Sequence, residues 1–228
     1  MFNTLHQIDW KSLKVAEYSS AEHIPDAIQG LISTDPEIRR RSYWRLDNVV
    51  VRQSDLYEAA WYVVPFLLEI IADPSTIEVR KEAYWLLYEI GNGYALPAEQ
   101  IHLPDGSSEC LTDACRKAVI EGLALYLAEI ANPSSPLPVR REAVELIFSY
   151  PIVFLSLKDR FEALLKQEPA SEFRSFWQEL LDESEGSEYS DGLEDIASLS
   201  AIVLTLANQK DPSNIWSIPE ASRMIFKL

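Results

Sequence analysis

Three histidines, His6, His23 and His102, and two cysteines, Cys110 and Cys115, are the residues of this chain with the widest chemical repertoire. No histidine has a second ligand at i+3 or i+4, the spacing that would set two metal ligands on one helical face. The cysteines stand five apart, which matches neither a zinc pattern nor a disulfide framework. Two thiols in a chain of 228 residues suit a reducing compartment. Gly-x-Ser-x-Gly, P-loop and dinucleotide-binding patterns do not occur. The expectation is therefore a protein that is not an enzyme and that uses no metal and no cofactor.

Carboxylates are the more telling group. Glu179, Asp182, Glu183, Glu185, Glu188, Asp191, Glu194 and Asp195 crowd one short stretch, with Tyr189 among them. One reading is a docking surface for lysines and arginines, with Tyr189 as aromatic anchor. The other is a solvated linker between helices. The whole chain has 36 acidic and 20 basic residues, a formal charge of −16. That balance argues against direct nucleic-acid binding, which needs a basic footprint. An anionic membrane surface would repel the protein, and a basic partner would be steered towards it. The start of the chain, Met1 to Lys14, has no apolar leader region and carries Asp9. The most apolar window, Ala59 to Ala72, is too short to span a bilayer and contains Pro65 and Glu69. These features predict a cytoplasmic protein.

The elements that must carry these residues are announced by a repeated phrase. Ile38-Arg39-Arg40-Arg41-Ser42-Tyr43-Trp44-Arg45-Leu46 returns as Val79-Arg80-Lys81-Glu82-Ala83-Tyr84-Trp85-Leu86-Leu87, and more loosely as Val139-Arg140-Arg141-Glu142-Ala143-Val144-Glu145-Leu146-Ile147. Each copy follows an Asp-Pro or Asn-Pro: Asp35-Pro36, Asp73-Pro74 and Asn132-Pro133. Repetition at about 40 residues is the mark of a helical solenoid. In such arrays each helical pair buries one apolar stripe, and stacking buries the rest.

Periodicity places the helices. Ile24, Ala27, Ile28, Leu31 and Ile32 share one face of a short helix led by Pro25. A second helix runs from Pro36 to about Val51, capped by Thr34 or Asp35. Helices over Leu56–Ile71 and Ile77–Ile90 form the second pair, closed by Gly91-Asn92-Gly93. Residues 94–112, with Pro97, Pro104 and Asp105-Gly106, read as a loop insertion. Asp113–Ala131 reads as one strong helix, paired with Leu137–Tyr150, which Pro151 stops. A weaker pair covers Lys158–Lys166 and Glu172–Leu181, where Glu172-Phe173-Arg174 faintly echoes the phrase. Helices over Leu193–Asn208 and Pro219–Phe226 close the chain. The repeats thus fall at about 24–51, 55–93 and 113–151, with weaker ones at 158–184 and 193–228, in a single domain spanning 1–228.

Within the phrase, Ser42, Ala83 and Ala143 supply a small residue for close helix approach, and Leu46, Leu87 and Ile147 supply the larger core residue. Asp35 with Arg39, Asp73 with Arg80, and Arg140 after Asn132 suggest a structural ladder of charge-assisted bonds across repeats. The Tyr43-Trp44 and Tyr84-Trp85 pairs recur in register. Adjacent helical residues point about 100° apart, so one of each pair faces the core and the other is peripheral. Exposed, Trp44 and Trp85 would line a binding groove beside Trp61 and Tyr62; buried, they would pack between repeats. Arg39-Arg40-Arg41 with Arg45 is the one basic patch.

The phrase resembles the HEAT repeat, with its Asp-Pro-x-Val-Arg-x-x-Ala pattern followed by leucine. Residues 25–93 look like a family of small bacterial HEAT-like proteins: Ile24-Pro25, Arg52-Gln53, Tyr57-Glu58-Ala59-Ala60, Val64-Pro65-Phe66-Leu67-Leu68 and Ile90-Gly91-Asn92-Gly93 match its recurring features. The glycine that follows the glutamine in that family is Ser54 here. The resemblance implies an all-α fold, a right-handed superhelical α-solenoid of helical hairpins. It also implies an immunity or interaction module of the kind found beside polymorphic toxins. The functional expectation is a non-catalytic module that neutralises a basic bacterial toxin enzyme by direct binding. Partner contacts are expected at Glu183, Glu185, Glu188, Tyr189, Asp191, Glu194, Asp195, Trp44 and Trp85. The alternatives are a scaffold or assembly factor, and an enzyme of the sort HEAT-like folds also include. Of those, DNA glycosylases need a basic groove, and pigment-attaching lyases would form a coloured adduct with a bilin.

Overall fold

A computed structural model describes residues 1–17, 19–103 and 106–186. Among them the chain is mostly α-helical, with two short antiparallel hairpins. Two compact groups of residues, 1–122 and 123–186, are described in turn.

In the first group, α1 (Ile24–Gly30) and α2 (Pro36–Val50) form an adjoining pair, as do α3 (Glu58–Ala72) and α4 (Lys81–Asn92). Helix α2 starts where Asp35 accepts a bond from the Glu37 N–H at 2.9 Å and Pro36 presets the first turn. It stops where Val51 turns extended. Helix α3 is apolar nearly all round, from Ala59 and Ala60 through Val63, Val64, Phe66, Leu67 and Leu68 to Ile70 and Ile71, all buried. A helix of that kind belongs at the centre. It packs against α1, α2, α4 and α5 (Leu111–Ile120), and Pro65 inside it leaves one helical bond unmade. The N-terminal segment straps across α3: the buried Trp10 indole donates to the Leu5 carbonyl at 2.8 Å, and Phe2 and Trp10 both meet Phe66 at 6.1 Å.

Small residues do what their register suggests. Ser42, Ala83 and Ala143 are all buried, as are Leu46, Leu87 and Ile147. Gly30 at the end of α1 lies so close to Ser42 that a Cβ there would sit 2.0 Å from the serine Oγ.

Several local features depart from the sequence reading. The helix expected from Ile77 is a 3-10 helix over Pro74–Val79, and α4 begins only at Lys81. Between α2 and α3 the chain makes a hairpin, β1 (Val51–Arg52) paired with β2 (Asp55–Leu56). Its two turn residues, Gln53 and Ser54, have φ of 53° and 69°. Left-handed backbone at both positions lets a two-residue turn match the twist of its strands. The expected loop at 94–112 contains a second hairpin, β3 (Gln100–His102) with β4 (Ser108–Cys110), and α5 already begins at Leu111. The single helix expected over Asp113–Ala131 is broken at Glu121-Gly122, because glycine there is a poor helix former and the N–H of Gly122 turns to the Val119 carbonyl.

The second group contains α6 (Leu123–Ala131), α7 (Leu137–Phe148), α8 (Pro151–Ser156), α9 (Lys158–Gln167) and α10 (Ser171–Gly186). Pro151 both ends α7 and opens the short α8, which the periodicity does not announce. The core is aromatic: Phe154 stacks on Phe161 at 5.0 Å, and Trp177 meets Phe161 and Phe173 edge-on, each at 5.5 Å. The helices expected over 193–208 and 219–226 lie outside the described residues.

Candidate functional site: an arginine motif and an aromatic face

The arginines of the repeated phrase are structural, in a different way from the ladder expected for Asp35, Arg39, Asp73, Arg80 and Arg140. The residue before each proline bonds within its own turn. Asp35 accepts from the Glu37 N–H at 2.9 Å, Asp73 from Ser75 at 2.8 Å, and Asn132 from Ser134 at 3.0 Å. Ser75 holds the Asp73 carboxyl below the ordinary carboxylate range through hydroxyl and main-chain bonds.

The arginine then reaches back to carbonyls at the end of the preceding helix or in the link just after it. Arg39 donates to Ser33 and Thr34 at 2.8 and 3.3 Å, Arg80 to Asp73 at 2.7 Å, and Arg140 twice to Ile130, at 3.0 and 2.7 Å. Helix C-terminal carbonyls lack intrahelical donors, and a guanidinium satisfies them while complementing the helix dipole. The side-chain oxygens before proline turn to backbone N–H groups two residues on, whereas the longer arginine side chain reaches carbonyls further back along the chain.

A fourth copy, of which Glu172-Phe173-Arg174 is only a faint echo in the sequence, is complete in the structure. Glu168-Pro169 precedes α10, Glu168 accepts from the Ala170 N–H at 2.9 Å, and Arg174 donates to the Glu168 and Pro169 carbonyls. The signal was an acidic residue before proline with an arginine soon after. It was obscured because Val-Arg is replaced by Phe173-Arg174.

Glutamates, not the expected aspartates, link one pair to the next. Arg39 of α2 pairs with Glu82 of α4 at 3.4 Å, both half-buried. Arg140 pairs with Glu168 in a buried bridge, its second contact at 3.3 Å, and Arg141 meets Glu172 at 2.7 Å.

The aromatic residues divide as helical phase requires. Tyr43 and Tyr84 are buried, Trp44 is 53% exposed and Trp85 is half-buried. Tyr43 touches both tryptophans edge-on, Trp44 at 5.0 Å and Trp85 at 5.6 Å, so Trp44, Tyr43 and Trp85 make one row across α2 and α4. Lys81 Nζ lies 4.7 Å above the Trp85 ring. Beside Trp44 an open depression of about 430 Å³ is lined by Glu37, Arg40, Arg41 and Arg45 as well. Trp61 and Tyr62 on α3 pack on each other and are half-buried.

Asp47 is joined to the row through the Tyr43 hydroxyl. Burial, and then the nearby Glu89 charge, push its carboxyl up to about 6, while a 3.4 Å bond from the Tyr43 hydroxyl opposes the rise. Burial alone lifts Glu121 to about 7. Burial likewise drives the Cys115 thiol far up, out of the reactive range.

The remaining sequence candidates are scattered. His23 Nε2 is 3.0 Å from the Arg45 carbonyl, and His102 Nδ1 is 2.8 Å from Ser108 Oγ at the exposed end of the second hairpin. Among the described residues no group of three histidine, cysteine or acidic side chains comes together as a metal site, and no helix is long and apolar enough to cross a membrane. Of the acidic segment, Glu183 and Glu185 fall on the backbone of α10. Glu188, Tyr189, Asp191, Glu194 and Asp195 lie outside the described residues. No known protein family, curated protein or solved structure matches the chain.

Proposed function

We propose that the chain is a HEAT-like, right-handed superhelical solenoid that binds a protein partner, and that it acts as an immunity-type inhibitor of a basic toxin enzyme. The solenoid reading is supported by four copies of one local pattern: a side chain before proline that accepts from the N–H two residues on, and an arginine returning to carbonyls at or just past the end of the preceding helix. Like solutions at successive helical pairs are what a stacked array of related units would contain.

The binding reading rests on the row Trp44–Tyr43–Trp85. An indole more than half exposed adds little to the core, yet Tyr43 fixes its orientation. Rigid, partly exposed tryptophan is the residue type most enriched where interfaces concentrate their energy. The sign of the partner follows from charge. Half of the net −16 is carried by the eight carboxylates between 179 and 195, a stretch without a basic residue. Such a concentration steers a positive partner and raises its association rate.

The test uses the full chain as bait in native lysate, followed by activity assays of what it retains. The expected result is one basic enzyme, inhibited in proportion to added protein. Several subunits retained together with no loss of activity would replace inhibition with scaffolding.

A further inference from the structure

Helix α2 carries arginines of two kinds. Arg39 is committed to Ser33, Thr34 and Glu82. Arg40, Arg41 and Arg45 are exposed. Arg40 meets Glu37 at 2.8 Å, a surface pair open to water on both sides. Arg41 and Arg45 have no ion-pair partner among the described residues. They stand at i and i+4, a spacing at which like charges weaken a helix. Glu37 also lines the depression, one turn before Arg41, but its carboxylate is engaged by Arg40.

These arginines flank Trp44, and together they line the open depression on the outer face of α2. The guanidinium plane binds carboxylates in a bidentate fork, and the indole accepts an apolar or aromatic neighbour. We infer that the outer face of α2 is a recognition site for an acidic peptide segment of a partner protein, with Arg41 and Arg45 pairing its carboxylates and Trp44 holding an apolar or aromatic side chain between them. Such a segment is local: a partner that is basic overall still presents it. Nucleic acid also fits arginine and tryptophan, but a long polyanion would have to approach a chain of charge −16, whereas a short segment brings few charges. The inference rests on the protein-binding reading and is independent of inhibition.

The test is selection from a phage-displayed library of random peptides of about twelve residues, the size class of linear recognition motifs. Peptides are kept if they bind the full chain and are removed by R41E/R45E. The expected pool is rich in Asp and Glu around a Trp, Phe or Leu. A synthetic member should bind at least about tenfold more weakly to Trp44→Ala, as for a central anchor. Circular dichroism checks each variant, and R41Q/R45Q replaces the double reversal if that one unfolds. An empty pool, a pool without acidic excess, or tighter binding of a labelled RNA oligonucleotide overturns the inference. Because no native partner is used, these outcomes are separate from whether the chain inhibits an enzyme.

Discussion

Arg140 and Glu168 face each other out of contact with water, one on α7 and the other on the link between α9 and α10. Every part of the pair is answered. The guanidinium also donates to the Ile130 carbonyl and lies 4.2 Å over the Phe173 ring, and the carboxylate also accepts from Ala170. One side chain thereby joins α6, α7 and α10.

Removing one partner should leave the other charged and buried. We predict that Arg140→Leu lowers unfolding free energy by about 3–5 kcal/mol, whereas Arg140→Leu with Glu168→Leu recovers most of it. Urea midpoints of the two variants decide this. Burial alone would raise the Glu168 pKa, but the Arg140 bond and the Ala170 N–H outweigh it and hold the carboxyl below its ordinary value. The stabilisation is therefore complete above the unfolded carboxylate pKa of about 4.3 and disappears as pH falls through the lower folded value. The gap between wild type and Arg140→Leu should narrow on acidification; a gap that widens would contradict the pairing.

Gly30 and Ser42 make a second prediction. An added methyl at 30 meets the serine Oγ at 2.0 Å and its Cβ at 3.0 Å. Glycine-to-alanine in a helix normally stabilises by up to about 1 kcal/mol. Here overpacking should win, with Gly30→Ala destabilising by about 1–2 kcal/mol. Adding Ser42→Gly should restore the midpoint, since it removes both clashing atoms.

The first hairpin predicts a gain. Ser54 has φ of 69° where glycine would be unstrained. Its carbonyl accepts from Tyr94 N–H at 2.9 Å, which ties the turn to the chain after α4. Ser54→Gly keeps that bond and relieves the steric cost of about 1 kcal/mol for a left-handed residue with a side chain. A higher melting temperature is expected, and a lower one would show that the turn owes its shape to the serine side chain.

Asp47 runs opposite to Glu168. Its folded pKa of about 6 lies above the unfolded value, so its contribution favours the fold at low pH and is lost as pH rises through 6. Asp47→Asn should stabilise the protein at pH about 7.5, on the order of 1 kcal/mol once solvent screening is allowed for. The advantage should fade by pH about 4, where the wild-type carboxyl is neutral. Urea unfolding at the two pH values gives the comparison.

For function, Trp44→Ala should leave stability nearly unchanged, because the ring is more than half exposed, and should weaken partner binding at least about tenfold. Charge reversal at Glu183, Glu185 and Glu188 should weaken binding several-fold at low salt. Calorimetry at two ionic strengths separates the terms: the tryptophan effect should persist in high salt and the glutamate effect should shrink. Unchanged affinity in the glutamate variant would remove the acidic segment from the interface.

Which residues share a helix face is legible from their order along the chain. The core positions Ser42, Leu46, Ala83, Leu87, Ala143 and Ile147 were readable because burial follows a 3.6-residue period, and that period is written locally. The division of each Tyr-Trp pair into a buried and a peripheral member followed from the same phase. What the arginines touch is set by tertiary structure. Arg39, Arg80 and Arg174 bond carbonyls in the links before their own helices, and Arg140 bonds Ile130 on α6, so each partner depends on how the link folds back on the helix. Tertiary structure also decided that Glu82 and Glu168 are ion-pair partners, that Gln53 and Ser54 turn left-handed without a glycine, and that Gly122 breaks a pattern whose apolar period runs on. Period is a property of neighbours along the chain, whereas a hydrogen-bond partner is a property of neighbours in space.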